Sequence, residues 1–328
     1  MSVVKLLSRI VAPTELDLDS CKDNTSSNKN RKGSTTTTSL HDHTYGITSD
    51  PLTQFTCAFS ALVHDVDHQG IPNTRLSEED PKLSELYEHR SIAEQNSLSI
   101  AWNLLMEPRF EDFRRCLYTT ESELERFRSL LVNCVMATDL VDKELKALRN
   151  GRWDKAFHPE KLTECVEQHT TNAKDDTNRK ATIVIEHLIQ ASDIAHTMQH
   201  WHVYRKWNQR LFNELYKAFL DGRSTSNPAD FWATGEIGFF DFYIIPLAKK
   251  LKECGVFGIS SDEYLNYALA NRAEWSSKGE EIVKDMLEEY HSAKDGKKKE
   301  GRKTNKRFNN MKDIPEAAPS SSRTLSDQ

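Results

Sequence analysis

Leu52, Phe55, Phe59, Leu62 and Val66 recur at steps of three and four residues, the spacing that gives a helix one apolar face. This run delivers the cluster His64-Asp65-Val66-Asp67-His68, after which Gly70 and Pro72 turn the chain. No stretch alternates apolar and polar residues between turn signals. Twelve Gly and ten Pro are few for 328 residues, which favours long helices over short strands. The predicted class is all-α, with Leu62 and Val66 on the buried face.

Imidazole nitrogen and carboxylate oxygen are ligands that Zn²⁺, Fe²⁺ and Mn²⁺ accept, and the adjacent pair His64-Asp65 offers both to one point. If the helix persists to its end, His64 and His68 lie one turn apart on one face. The alternative is a solvated helix end whose charges pair locally. A buried-looking run joined so tightly to a polar cluster argues for chemistry. His41-Asp42-His43 is a second cluster of this type, set in a polar surrounding that favours a surface role.

Composition excludes several classes. A net charge of -6 leaves no general footprint for nucleic acid. Six cysteines without a CxxC pair read as reduced thiols of a cytoplasmic protein. No apolar run approaches the roughly 18 residues that span a bilayer, and Met1–Val11 is too interrupted for a secretory signal. The expected organisation is a core helix over 1–11, a polar low-complexity loop over 12–51, a helical domain over 52–292 and a basic disordered tail over 293–328. The tail's Lys297-Lys298-Lys299, Arg302-Lys303 and Lys306-Arg307 could touch anionic lipid or RNA, though solvation alone explains them.

Within the helical domain, helices are predicted over Tyr87–Met106, from the capping box Thr120-Glu121-Ser122-Glu123 to Asp139, and over Ile183–Ile189 running into Asp193. Gly151–Asn178 reads as a loop with short helices. Trp201–Leu220 presents Trp207, Leu211, Leu215 and Phe219 on one side. Glu236–Leu251 is dense in aromatics, and Ser260-Ser261-Asp262-Glu263 opens a last helix reaching about Tyr290.

Several stretches, taken in order, resemble the class I cyclic nucleotide phosphodiesterases of the HD superfamily. His64-Asp65-Val66-Asp67-His68 with Gly70 matches the HD element, and Asp193 the distant helix-end aspartate. Ser91-Ile92-Ala93-Glu94 is similar to that family's SVLE segment and Ala137-Thr138-Asp139 to its ATD segment. Val203-Tyr204-Arg205-Lys206-Trp207 resembles LYRQW, Ile237–Leu247 resembles VGFIDYIVHPL, and Asn271-Arg272-Ala273-Glu274-Trp275 resembles NREW. The resemblance implies a compact multi-helix catalytic domain that binds two divalent metals, zinc with magnesium or manganese, and hydrolyses 3′,5′-cyclic nucleotides. It implies His64, Asp65 and Asp193 as metal ligands, Asp65 bridging both ions. His68, Thr138 and Asp139 would lie around the metals' water shell, with His68 and Asp65 serving catalysis. Trp207, Leu211 and Phe239 would wall a purine pocket, Phe239 stacking on the base. Fusion to, or association with, a membrane receptor or cyclase is compatible with this family.

The chain also departs from that pattern. No HNxxHA element precedes His64, so the expectation is a chain that starts just after it and hydrolyses poorly. The alternative is a non-catalytic homologue that binds a nucleotide or a protein. Gln95-Asn96-Ser97 stands where the family has Asn-His-His, and His196 where it commonly has Asn. Glu236 occupies the position of the purine-reading glutamine. An ionised carboxylate only accepts hydrogen bonds, which favours guanine, with donors at N1 and N2, over adenine. Cyclic GMP is therefore expected to be preferred over cyclic AMP.

Overall fold

The computed structural model describes residues 2–10, 44–158, 173–257 and 262–311, the side chains of 173–175 and 293–311 excepted. Every regular element among them is helical: α1 Ser2–Ser8, α2 Pro51–Val63, α3 Asn73–Glu79, α4 Pro81–Leu86, α5 Ile92–Met106, α6 Glu111–Leu117, α7 Glu121–Met136, α8 Lys143–Phe157, α9 Ala173–Asp193, α10 Trp201–Leu220, α11 Trp232–Phe239, α12 Ile245–Glu253 and α13 Glu263–Met311. The all-α expectation holds. None of the described helices is long and apolar enough to cross a membrane. His41-Asp42-His43, most of the polar 12–51 segment, Ser260-Ser261 and the basic side chains of the tail lie outside the described residues.

The chain divides into two compact units, Met1–Asn208 with Thr234–Ser277, and Gln209–Ala233 with Lys278–Gln328. At the centre of the first unit runs α9, which packs against α1, α2, α7, α8 and α12. Its turns from Ile183 to Ala191 are buried on every side, including Glu186, His187 and Gln190, as expected of a helix enclosed by others. Glu186 is met by Arg152 at 2.8 Å, and Gln190 donates to the Ala137 carbonyl at 2.9 Å, so these buried polar groups are bonded.

α2 is two-sided. Phe55, Phe59 and Val63 join Leu105, Phe127, Leu131 and Val135 in one apolar cluster. On its other side Thr56 and Ser60 return their hydroxyls to the carbonyls of Leu52 and Thr56, at 2.6 and 2.7 Å, and can then be buried beside Cys57. Leu62 does not follow the predicted stripe; it is 77% exposed, because the buried register passes from Phe59 to Val63. Asp50 caps α2 by accepting from the Leu52 N–H. The Thr120–Glu123 capping box of α7 forms as predicted, each side chain accepting from the other's backbone.

Three further expectations need correction. Tyr87–Ser91 is not helical: Glu88, His89 and Ser91 all have positive φ, which a right-handed helix excludes, so α5 begins at Ile92. The stretch predicted as loop from Gly151 is helical to Phe157, and α9 starts at Ala173. The last helix continues past Tyr290 to Met311, through residues rich in Lys and free of Pro.

Between α11 and α12 the backbone widens to a π-helical turn over Phe240–Ile244, with the Ile245 N–H bonded to the Phe240 carbonyl. Pro246 follows directly. Its ring would meet the carbonyl four residues back in a regular helix, so the wider turn relieves the clash. In the second unit, Tyr216 stacks on Phe212 and meets Tyr290 edge-on at 5.0 Å, and Phe212 meets Trp232 edge-on at 5.2 Å.

Candidate active site

α2 ends at Val63, and His64 is its C-cap. The chain then leaves helical geometry: Val66 N–H bonds the Val63 carbonyl, His68 N–H bonds that of Asp65, and Asp67 takes a positive φ of 64°. His64 and His68 therefore do not share a helical face as the sequence spacing suggested. The left-handed Asp67 turns His68 away, and Gly70, at φ 68°, closes the turn by donating its N–H to His68 Nδ1 at 3.1 Å.

The turn brings together residues that the sequence separates widely. His64 Nε2 lies 3.1 Å from Asp65 Oδ2 and 3.3 Å from Oδ1 of Asp193, which sits 129 positions along the chain at the end of α9. These three side chains offer ligand atoms all within 4.8 Å of one another. His64 Nδ1 is 3.2 Å from the Ala61 carbonyl, to which only an N–H can bond, so in the neutral ring Nε2 carries the lone pair. A lone pair flanked by two carboxylates is a setting for a cation. The same field acts on the proton: burial disfavours a charged His64, but its bonds to Asp193 and Asp65 outweigh this and raise its pKa to about 10. The Asp65 carboxyl is held below its ordinary range by the bond from His64, against partial burial.

A second group lies on the α5 side. Ser91, left-handed at φ 38°, donates to Asp139 Oδ2 at 2.7 Å, while Asp139 Oδ1 accepts from the Val141 and Asp142 N–H groups. Asp139 is thus buried and held by three hydrogen bonds from the protein. Thr138 donates its hydroxyl to the Val135 carbonyl at 2.6 Å, which leaves its oxygen able to accept. Glu94 was not among the predicted site residues. Asn73 donates to it at 2.9 Å, and burial raises its pKa, with Asp139 adding repulsion and His68 opposing. Its electrostatic coupling to both Asp139 and His68 puts it in this group; the SIAE segment was the available signal.

The aromatic residues form a third part. Tyr204 receives hydrogen bonds from Trp275 Nε1 at 2.6 Å and Asn208 Nδ2 at 3.2 Å, which fills its lone pairs. Its own proton goes to Glu236 Oε2, at 2.5 Å. Glu236 is buried, which raises its pKa, while Tyr204 and Asn208 donate to the carboxylate and oppose the rise. His196 lies parallel to Tyr204 with ring centres 6.2 Å apart and 6.4 Å from Trp207; burial lowers its pKa, against the pull of Asp193.

Trp207 is 49% exposed and Phe239 half-buried, stacked on Tyr243 at 5.4 Å. Leu211, 46% exposed, belongs to the second unit. The core face of α10 is not the predicted one. Tyr204, Asn208, Phe212 and Tyr216 are buried, and the stripe through Trp207 and Leu211 lies about 60° around the helix.

Comparison with known proteins bears on this arrangement. The family model described as 3'5'-cyclic nucleotide phosphodiesterase matches residues 34–256. The chain is 25% identical over 228 residues to "Probable 3',5'-cyclic phosphodiesterase pde-3" of Caenorhabditis elegans, covering 66% of this chain and 31% of that protein. It is 26% identical over 216 residues to the "Dual specificity calcium/calmodulin-dependent 3',5'-cyclic nucleotide phosphodiesterase 1C" of Mus musculus, covering 61% and 26%. It therefore spans about a third or less of the length of these relatives. The phosphodiesterase domain of Salpingoeca rosetta rhodopsin phosphodiesterase shares the fold, with a TM-score of 0.55, 21% identity, and coverage of 88% of this chain and 83% of that one.

Proposed function

The chain belongs to the 3′,5′-cyclic nucleotide phosphodiesterase family, and from that premise we propose that it hydrolyses a 3′,5′-cyclic nucleotide to the 5′-monophosphate at the site of His64, Asp65 and Asp193. The observation that carries this reading is the His64 Nε2 atom set between two carboxylate oxygens, at 3.1 and 3.3 Å. That donor set fits a divalent cation: His64, Asp65 and Asp193 would hold zinc, magnesium or manganese. Divalent ions held there would supply Lewis acidity and lower the pKa of water.

The chain's own residues account for the rest. In the reaction, water oxygen bonds to phosphorus, the P–O3′ bond breaks, and a proton ends on O3′. His68 Nδ1 accepts from Gly70, so its neutral ring carries the proton on Nε2 and offers a donor to a phosphoryl oxygen or to water. Phe239, backed by Tyr243, offers a face for the base, and Trp207 exposes an apolar edge. Asp193→Asn should lower bound metal and cut turnover by about 10²-fold or more. Metal content and activity matching the parent protein would remove Asp193 from the site.

Glu236 extends the reading to substrate choice. Its Oε2 faces a hydroxyl whose only proton points at it, so on this side the carboxylate acts as acceptor. The remaining acceptor capacity suits guanine N1–H and N2–H, and cyclic GMP is the proposed preferred substrate. Leaving a buried acceptor unpaired costs roughly 1–3 kcal/mol, which corresponds to about ten-fold discrimination. kcat/KM for cyclic GMP and cyclic AMP, measured in the parent and in Glu236→Gln, tests this. Equal ratios in the two proteins, or a parent that prefers cyclic AMP, would refute it.

A further inference from the structure

On the side of α9 that carries His187 and Gln190, a cavity of about 100 Å³ is lined by Lys146, Arg149 and Asn150 of α8, by Phe242 and Tyr243 of the π turn, and by Lys250 of α12, among others. Among the described residues no acidic side chain lines it. Three cations therefore share one small space. Arg149 is buried, donates to the carbonyls of Met136 and Asp139 at 3.3 and 3.0 Å, and makes no ion pair among the described residues. Lys250 is likewise without an ion pair among them. It donates to Asn150 Oδ1 at 2.7 Å and to His187 Nε2 at 3.2 Å, and sits 5.3 Å from the centre of the Trp153 ring.

His187 can only accept from Lys250, because its Nδ1 proton goes to the Ile183 carbonyl at 2.7 Å. Burial, with the nearby cation, lowers its pKa to about 3, so His187 is neutral and adds no compensating charge. Of the three ammonium donors of Lys250, two are used and one is left over. Burial also lowers the Lys250 pKa to about 8; Asp154 and Glu253, outside the lining, pull it up, and Arg149 and Lys146 push it down.

An independent observation points the same way. The Tyr243 side chain belongs to this lining, and its hydroxyl is buried with no hydrogen-bond partner among the described residues. Buried hydroxyls are bonded in nearly all proteins, and buried cations are paired. Arg149 is buried with its bonds going to carbonyls, Lys250 is partly buried, and both line one cavity with Tyr243. A group that accepts several hydrogen bonds and carries negative charge would satisfy all three at once.

We propose that the cavity bounded by Lys146, Arg149, Tyr243 and Lys250 is a binding site for a small tetrahedral oxyanion of the phosphate or sulfate type. The volume of about 100 Å³ is well above the roughly 15 Å³ that admits one water. His64, Asp65 and Asp193 do not line this cavity, and the proposal does not depend on the proposed activity.

The test is calorimetric titration of the full chain with inorganic phosphate, and separately with sulfate, at constant ionic strength set by chloride. The protein carries Asp193→Asn and is treated with chelator, so that phosphate held by metal does not contribute. Saturable binding is expected. Lys250→Met should weaken it by about ten-fold or more, and Tyr243→Phe, which keeps the ring and its stacking, by about three- to ten-fold. If Lys250→Met does not fold, the Tyr243→Phe titration decides alone. Absence of binding beyond the chloride control would overturn the proposal, as would unchanged affinity in Tyr243→Phe.

Discussion

Tyr204→Phe removes one oxygen from the centre of the network under Glu236 and leaves the ring in place. The ring's contacts with Phe240 at 5.5 Å and Trp201 at 5.4 Å are retained, so the loss is confined to hydrogen bonding. Three partners are affected. Trp275 Nε1–H and one Asn208 N–H lose their acceptor, and Glu236 Oε2 loses its donor. Trp275 and Asn208 are 1% and 2% exposed, so water does not readily replace the hydroxyl.

At roughly 1–3 kcal/mol for each orphaned buried group, and with some relaxation at Asn208, the loss should be about 3 kcal/mol. For a chain of this size that corresponds to a fall in Tm of about 4–5 °C. The pH dependence sharpens the test. Burial already raises the Glu236 pKa in the folded state, so the folded protein binds more protons than the unfolded chain above the unfolded pKa. Stability from this group is fully present below that unfolded value and is lost as pH rises through the folded one. Without the Tyr204 donor the folded pKa rises further, so the variant's deficit should grow from pH 5 to pH 8. Thermal unfolding followed by circular dichroism at both pH values measures it. A Tm within about 1 °C of the parent at both would refute the network as described.

Other outcomes are accessible to the same assay. Arg152→Met should destabilise by about 1–3 kcal/mol at pH 8, because it removes the ion-pair partner of Glu186, which is 2% exposed, and leaves only the nearby Arg149 charge; the penalty should shrink towards pH 5 as that carboxyl, its pKa raised by burial, takes up a proton. Leu62→Lys should change stability by less than about 0.5 kcal/mol, whereas Phe59→Ala, in the α2–α7 cluster, should cost about 3 kcal/mol or more. A large loss for Leu62→Lys would restore the predicted stripe.

Local chemistry makes much of the fold legible. Period and capping are properties of a few neighbouring residues, so the apolar run from Leu52 and the Thr120–Glu123 box suffice to locate α2 and α7. The burial of α10 is less legible. Its inner face includes Asn208, a residue that hydropathy assigns to solvent, and it is buried because Tyr204 accepts its hydrogen bond. Trp207 and Leu211 then stand at the surface despite their apolar character.

By itself the sequence determined the class, the order of the main helices and the residue types capable of holding a cation, since each depends on spacing along one element. Only the tertiary structure decided that α2 stops at Val63, that a left-handed Asp67 parts His68 from His64, and that Asp193 arrives beside His64. It also decided that Arg149 and Lys250 meet around one cavity. A helix end, a backbone φ and the meeting of side chains 129 positions apart are set by how helices pack around α9. Packing energy is a sum over contacts between distant elements, and no window of neighbouring residues contains it.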